Sequence, residues 1–279
     1  MPEGPEVRRA ADRVAGALLG TATTKVRFAF PHLRKFEARL TGTPLTAAST
    51  RGKAMLLEFG AARLVIYVHL LLYGKWHVRS PPSYPNTRRS LRLEVATEQA
   101  CALLYSASEI TVVDSDKLDS IPYLAALGPD CLDPTATRAQ LMRRLAHSKF
   151  ARRRLAALYL DQAFVAGIGN YLRAEILFEA GLHGLRRPAD LSPLERKRLA
   201  QATLTLSQRA YKQRGTTITR QRMRQLKAAK LPRRDYRHYV YGRLGRPCHV
   251  CGTKIEALAL SGRRLYFCPR CQPAAAHSG

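Results

Sequence analysis

The sequence predicts an α+β protein of several domains: an N-terminal antiparallel β-sandwich that begins with a helix, a helical middle, and a small C-terminal metal ribbon. Three observations carry this. Between about 24 and 115, short runs alternate apolar and polar residues, as in Val26, Phe28 and Phe30 or Leu91, Leu93 and Val95, with Gly, Pro and Ser between them. From about 135 to 212 the apolar spacing lengthens to a helical one. Four of the six cysteines fall late, as Cys248-x-x-Cys251 and Cys268-x-x-Cys271 with sixteen residues between the pairs.

In order, residues 5–19 place Val7, Ala10, Val14 and Leu18 on one helical face, with Arg8, Arg9 and Arg13 elsewhere. The strands follow, including the solid apolar run Leu64 to Val68 and the alternating pair Leu103 and Tyr105. Residues 120–135 carry Pro122, Gly128-Pro129 and Asp133-Pro134 and read as a linker. Helices are expected over about 135–147, 152–162, 171–180 and 193–212. Between the second and third, Gly167-Ile168-Gly169-Asn170 gives a tight turn, either a phosphate site at a helix N-terminus or a sharp turn with an Asn cap. Residues 209–247 hold 13 Lys/Arg and one acid, Asp235, which fits a mobile loop that orders on a polyanion or a solvated helix face. A hairpin spans Ile255 to Phe267, turning at Ser261-Gly262 with Arg263 and Arg264 beside its tip. The domains expected are 1–120, a linker 121–134, 135–235 and 236–273.

The chain has 279 residues, 47 Lys+Arg against 20 Asp+Glu and a formal charge of +27. Such an excess calls for a polyanionic partner held through phosphates; an anionic membrane surface is the rival, but no lipidation signal or basic amphipathic anchor is present. No apolar run of 18 residues could span a bilayer, and no signal peptide is apparent, so a cytoplasmic location is expected. Cysteines stay reduced there, and the two Cys-x-x-Cys pairs read as one structural zinc site of four thiolates, with no open position for catalysis. Such ligation supplies on the order of 10–16 kcal/mol, more than a ribbon this small gains from its own core. Cys101 and Cys131 stand in apolar surroundings and read as packing residues.

The start Met-Pro-Glu-Gly-Pro-Glu carries chemistry. With Met1 removed, Pro2 is a secondary amine close to Glu3 and Glu6. An α-amine of pKa about 7.7–8.0 keeps an appreciable neutral fraction near neutral pH, where a free Lys at about 10.4 keeps well under ~0.1 %. Attack of such an amine on a sugar aldehyde carbon gives an iminium, an electron sink. A Pro-rich start is ordinarily a frayed terminus; here the basic charge and the cysteine ribbon favour an enzyme.

Taken together these residues resemble the Fpg/Nei family of DNA glycosylases with abasic-site lyase activity, on its endonuclease VIII (Nei) side. The resemblance runs colinearly through Pro2-Glu3-Gly4-Pro5-Glu6, Arg51-Gly52-Lys53-Ala54, Leu72-Tyr73-Gly74, Leu104 to Ser108, Leu160 to Phe164, Gly169 to Arg173 and Cys268-Pro269-Arg270-Cys271-Gln272. It implies a helix-two-turn-helix element in the middle domain and a zinc-ribbon finger at the end. It implies Pro2 as Schiff-base nucleophile and Glu3 as the acid/base for sugar opening and base departure. Glu6 would hold the helix start and a proton network, Lys53 would relay protons in β-elimination, and Arg263 would assist δ-elimination. Asn170 would hold a backbone phosphate, and Leu71, Leu72 and Tyr73 would wedge the gap left by a flipped base. The implied partner is double-stranded DNA with damaged bases or abasic sites, bound by a monomer, in a cytoplasmic, nucleoid-associated setting.

Three departures stand out. Position 71 usually carries Gln, so Leu71 offers no amide to an orphaned opposite base; Ala126 stands where an Arg is usual; and residues 216–235, the lesion-side loop that by the resemblance would contact the flipped base, are longer than usual. The implied substrates are oxidised pyrimidines, and Gly4, where purine-type members tend to have Leu, agrees. Oxidised purines such as 8-oxoguanine and formamidopyrimidines are the alternative within the family, and a non-enzymatic zinc-ribbon DNA binder is the alternative outside it.

Overall fold

The computed structural model describes residues 1–81, 83–260 and 262–274, and the chain divides into two compact units, Met1–Ala126 and Leu127–Gly279. Ser261, one half of the expected hairpin turn, lies outside the described residues.

Among the described residues, the first unit has eight strands: β1 (Lys25–Phe28), β2 (Ala47–Arg51), β3 (Ala54–Phe59), β4 (Leu64–His69), β5 (Lys75–Arg79), β6 (Leu91–Ala96), β7 (Cys101–Tyr105) and β8 (Glu109–Asp114). They form two antiparallel sheets, ordered β1-β6-β7-β5 and β2-β3-β4-β8. Helix α1 (Gly4–Leu18) lies against β2 and β3 of one sheet and β5 and β7 of the other. Its buried Val7, Ala11, Val14 and Leu18 join Leu57, Ile66, Leu93 and Leu104 in one core, so the sandwich closes over the helix and fixes its N-terminus. Alternation fails along β7, where every residue is buried: Cys101, Leu103 and Tyr105 form a second cluster with Ala96 on the other face. Two short helices, α2 (Glu37–Leu40) and α3 (Pro122–Ala125), complete the unit. Thus the expected linker begins inside the first unit, with Ile121 and Leu124 buried.

The second unit holds α4 (Arg138–Ala146), α5 (Ser148–Ala151), α6 (Leu155–Leu158), α7 (Asn170–Ala180), α8 (Pro193–Lys212), α9 (Arg220–Ala228), α10 (Arg233–Tyr236) and the hairpin β9 (Glu256–Leu260) with β10 (Arg263–Phe267). Leu265 and the ligand cysteines Cys248 and Cys268 join the helical core, so the ribbon packs as part of it. The helix expected over 152–162 is reduced to α6. Asp161 Oδ1 accepts the Ala163 N–H (2.9 Å), while Gln162 bonds the carbonyls of Leu160 and Ile168 and the Gly167 N–H. Such side-chain bonds to nearby backbone compete with a helical ladder. The basic segment after α8 is helical in α9 and α10, with Leu226 buried.

His238 is buried between Tyr171 and Tyr241 and meets Thr217 Oγ1 at 3.1 Å. Burial, and then the charges of Arg237 and Arg233, depress its pKa from 6.5 to about 3. The unfolded chain therefore binds the extra proton first. The stability from keeping His238 neutral is full above pH 6.5 and declines as pH falls from there toward 3, by up to about 1.4 kcal/mol per pH unit. His238→Asn should flatten the fall in melting temperature between pH 7.5 and 5 relative to the parent; parallel curves would refute this.

Candidate active site

The first unit assembles the N-terminal residues. Glu3 takes the N-cap position of α1, where its extended backbone turns into the helix and its carbonyl accepts from Glu6 and Val7 (2.9 and 3.1 Å). Glu6 Oε2 reaches back to the Glu3 N–H (3.2 Å) and its Oε1 pairs with Arg9 (3.1 Å). Glu3 is 3 % exposed, whereas Met1 ahead of it is 46 % exposed and Pro2 is intermediate. The helix start thus sets a buried carboxyl directly beside a residue that solvent reaches.

Lys53 sits in the two-residue turn between β2 and β3, set by the Arg51–Ala54 pairing. Gly52 takes φ 62°, the sign that a primed hairpin turn needs at its first central position. Lys53 is buried, and its N–H donates to the Tyr123 hydroxyl at 2.9 Å. The Tyr123 ring packs edge-on against His69 (4.9 Å between centroids). Burial first, and then the Lys53 charge, hold the His69 pKa below its usual value, against the opposing Glu109. Neutral His69 can then accept the Leu71 N–H at Nδ1 (3.3 Å).

That bond begins the loop from β4 to β5. Leu71 has φ 48°, Gly74 N donates to Leu70 O at 2.8 Å, and Arg89 donates to Tyr73 O at 2.6 Å. A Cβ at Gly74 would meet Leu70 O at 2.6 Å, so glycine permits the loop to close. The pinned loop exposes Leu71, Leu72 and Tyr73 by 37, 61 and 68 %. Three adjacent large apolar side chains held in water belong to a contact surface rather than a core.

In the second unit, Gly169 rather than Asn170 is the N-cap of α7, so Asn170 is the first helical residue and not the cap. Its side chain donates to Arg264 O (3.2 Å), and the fully buried Arg173 donates to the same carbonyl (3.3 Å) and to Asn170 Oδ1. Asn170 is thus tied to the hairpin residue adjacent to the exposed Arg263, which pairs with Leu260 at the described end of β10. Glu175, also fully buried, accepts from Thr217 Oγ1 and the amides of Tyr239, Val240 and Tyr241 (2.5–2.9 Å), locking α7 to the chain that enters the ribbon. Sequence reasoning alone gives no role to Arg173, Glu175, His69 or Tyr123. The signal for the first two is nonetheless present: Leu172, Ala174, Ile176 and Leu177 flank them in α7, and a charge buried among such residues must be bonded.

Cys248, Cys251, Cys268 and Cys271 place their sulfurs within 4.8 Å of one another, with three separations of 3.4, 3.5 and 4.0 Å. Zn–S bonds of about 2.3 Å at tetrahedral angles put sulfurs about 3.8 Å apart, so the four thiolates fit one zinc. Gln272, fully buried, accepts from Cys268 N (3.0 Å) and donates to Leu182 O (2.9 Å), anchoring the second knuckle on the helical core. Cys268→Ser should bring bound zinc below one per chain by metal analysis and weaken abasic-site binding, while the sandwich stays folded; full binding without metal would show the ribbon to be dispensable.

The family model for the N-terminal domain of formamidopyrimidine-DNA glycosylase matches residues 1–116, that for its H2TH domain matches 127–222, and that for the zinc finger found in FPG and IleRS matches 245–274. Endonuclease 8 of Klebsiella pneumoniae is 42 % identical over 272 residues, spanning 98 % of this chain and 100 % of the relative. The chain belongs to the formamidopyrimidine-DNA glycosylase/endonuclease VIII family. Endonuclease 8 of Escherichia coli matches over the same length and coverage at 42 % identity. Solved members share the fold: Lactococcus lactis Fpg in complex with DNA containing N7-benzyl-Fapy-dG has a TM-score of 0.79 at 21 % identity, covering 98 % of this chain and all of that one. A complex of the same protein with DNA containing an oxidised pyrimidine gives 0.80 at 21 %, with the same coverage. The four thiolates fall inside the zinc-finger match, and this member of the Fpg/endonuclease VIII family holds one structural zinc ion there. Among the described residues, no helix is long and apolar enough to cross a membrane.

Proposed function

We propose that the chain is a bifunctional DNA glycosylase and abasic-site lyase of base excision repair, acting on oxidised pyrimidines in duplex DNA. The observation that carries the reading is the buried Glu3 carboxyl adjoining Pro2, in a chain 42 % identical to Endonuclease 8 along nearly its whole length. The Pro2 amine, free once Met1 is gone, attacks C1′ of the damaged nucleotide. The C1′–N bond breaks as Glu3 delivers a proton to the departing base, and the C1′–O4′ bond then opens as the proton released by the Pro2 nitrogen passes by way of Glu3 to O4′, leaving an iminium on Pro2. Lys53 relays the C2′ proton as the 3′ C–O bond breaks, and Arg263 binds the 5′ phosphate that leaves in the second elimination. Glu6 keeps the helix start in place, Asn170 holds a backbone phosphate, and Leu71, Leu72 and Tyr73 fill the emptied stack. The relevant division of the chain is a sandwich domain 1–120, a linker 121–134, the helix-two-turn-helix domain 135–235 and the zinc ribbon 236–273, in a cytoplasmic enzyme associated with the nucleoid.

Borohydride trapping on duplexes carrying thymine glycol, 8-oxoguanine or a bare abasic site tests the reading. An adduct on all three substrates, with thymine glycol processed faster than 8-oxoguanine, is the expected result. Faster 8-oxoguanine would assign the enzyme to oxidised purines, and no adduct on the abasic site would leave a DNA-binding protein without lyase chemistry.

The exposed Leu71–Tyr73 loop gives a sharper expectation. Unstacking a base costs a few kcal/mol, and side chains that fill the gap offset part of it. Leu72→Ala should slow excision from paired lesions far more than from bubbles, where little stacking is left to replace, and Leu71→Gln should alter mainly the dependence on the opposite base. Equal losses for Leu72→Ala on both substrates would remove the wedge role.

A further inference from the structure

Helix α9 carries Arg220, Arg222, Arg224 and Lys227 and no acid. Arg220 occupies the first helical position, where the helix dipole disfavours a cation, and Arg220–Arg224 and Arg224–Lys227 are like-charged pairs at i,i+4 and i,i+3. Helices α1 and α8 relieve such charge: Arg8 meets Asp12 at 3.0 Å in α1, and Glu195 at the start of α8 is paired with Arg186. Despite this electrostatic cost α9 is held firmly. Thr219 caps it, Leu226 is buried, and Arg222 donates to the carbonyl of His249 in the zinc knuckle (2.6 Å).

Of the remaining cations, Lys227 lies over the Tyr236 ring (5.4 Å) and Arg233 of α10 donates to the Arg214 carbonyl (3.2 Å), contacts that leave both charges unneutralised. Arg220, Arg224 and Lys227 join Lys212, Arg214 and Arg233 around a groove of about 400 Å³. All six are exposed, and none of the groove-lining residues is acidic. Gln213, Thr216, Met223 and Tyr236 complete its wall. A second groove of about 590 Å³ continues from it, sharing Lys212, Gln213 and Arg220 and adding Arg209. A single phosphate carries at most about two charges, so six cations call for a ligand with several phosphates in a row.

We propose that this groove is a track for the phosphate backbone of duplex DNA, separate from the phosphates assigned to Asn170 and Arg263. Bound phosphates neutralise the like charges of α9, and the segment then serves to extend the footprint on DNA. The inference rests on the DNA-binding part of the proposed function and is independent of its covalent chemistry.

The test is the salt dependence of binding to undamaged duplex, by fluorescence anisotropy on the zinc-loaded full chain. In the triple variant Arg220→Gln, Arg224→Gln and Lys227→Gln, the slope of log K against log salt should become shallower by about 0.9 for each phosphate that is no longer neutralised, up to about 2.7. The double variant Arg220→Lys and Arg224→Lys keeps every charge and should hold the parent slope. It guards against a misfolded Gln variant, as do zinc content and melting temperature. A control with Arg34→Gln, Lys35→Gln and Arg39→Gln makes the same change in net charge in the other unit and should leave the slope near the parent's. An unchanged slope in the α9 variant, an equal change in the control, or a change seen with structured RNA but not with duplex DNA would each overturn the track. Borohydride trapping by the parent is scored separately: its failure removes the lyase reading and leaves the slope comparison intact.

Discussion

A chain that retains Met1 should form no borohydride-trapped adduct with an abasic site, while the same chain beginning at Pro2 should be trapped in full. In the retained form the Pro2 nitrogen is part of a peptide bond, its lone pair delocalised into the Met1 carbonyl, and it is no longer a nucleophile. Met1 is 46 % exposed and makes no part of the core, so its presence should leave folding unchanged and isolate the chemistry. Pro2→Gly, with Met1 removed, leaves a primary amine and should keep partial activity. Mass spectrometry of the trapped peptide should place the adduct on residue 2. An adduct on Lys53, which is buried in the β2–β3 turn of the same unit, would transfer the nucleophile's role to that lysine.

Glu3→Gln should lower base excision by ~10²-fold or more, the usual scale for a general acid/base, with a much smaller effect on cleavage of a preformed abasic site. The substitution keeps the size of a side chain that is 3 % exposed and removes only its exchangeable proton and charge. Loss of an anion at the start of α1 also costs about 0.3–1 kcal/mol against the helix dipole. A cost of that size shifts stability alike for both substrates, so the ratio of the two activities is the informative readout. Departure of the base needs a proton that the abasic substrate no longer requires. Equal losses on the two substrates would place Glu3 in the lyase step or in the local fold.

The parts of this protein that the sequence alone determined are those whose physics is local. Two Cys-x-x-Cys turns set their thiolates near a tetrahedral edge whatever surrounds them, and the helical face Val7 to Leu18 and the alternation in β1 follow from side-chain periodicity, whereas in β6 an irregularity between Leu91 and Leu93 sends Leu91 to the cluster on the other face. The acid-flanked Pro2 is equally visible, since Glu3 and Glu6 are its neighbours in sequence. Tertiary structure decided the rest, because the deciding partner lies far along the chain. Lys53 is fixed by a hydroxyl from Tyr123, and Asn170 and Arg173 by the carbonyl of Arg264. Glu175 is tolerated without solvent only because three amides from Tyr239 to Tyr241 and the Thr217 hydroxyl converge on it. The full burial of β7 depends on what covers its second face, and the collapse of the expected 152–162 helix on side chains that bond to the backbone of a turn beyond it. In the basic segment, charge density was plain from the residues; that it folds as α9 was settled by Leu226 in the core and Arg222 on the zinc knuckle, partners that no local pattern encodes.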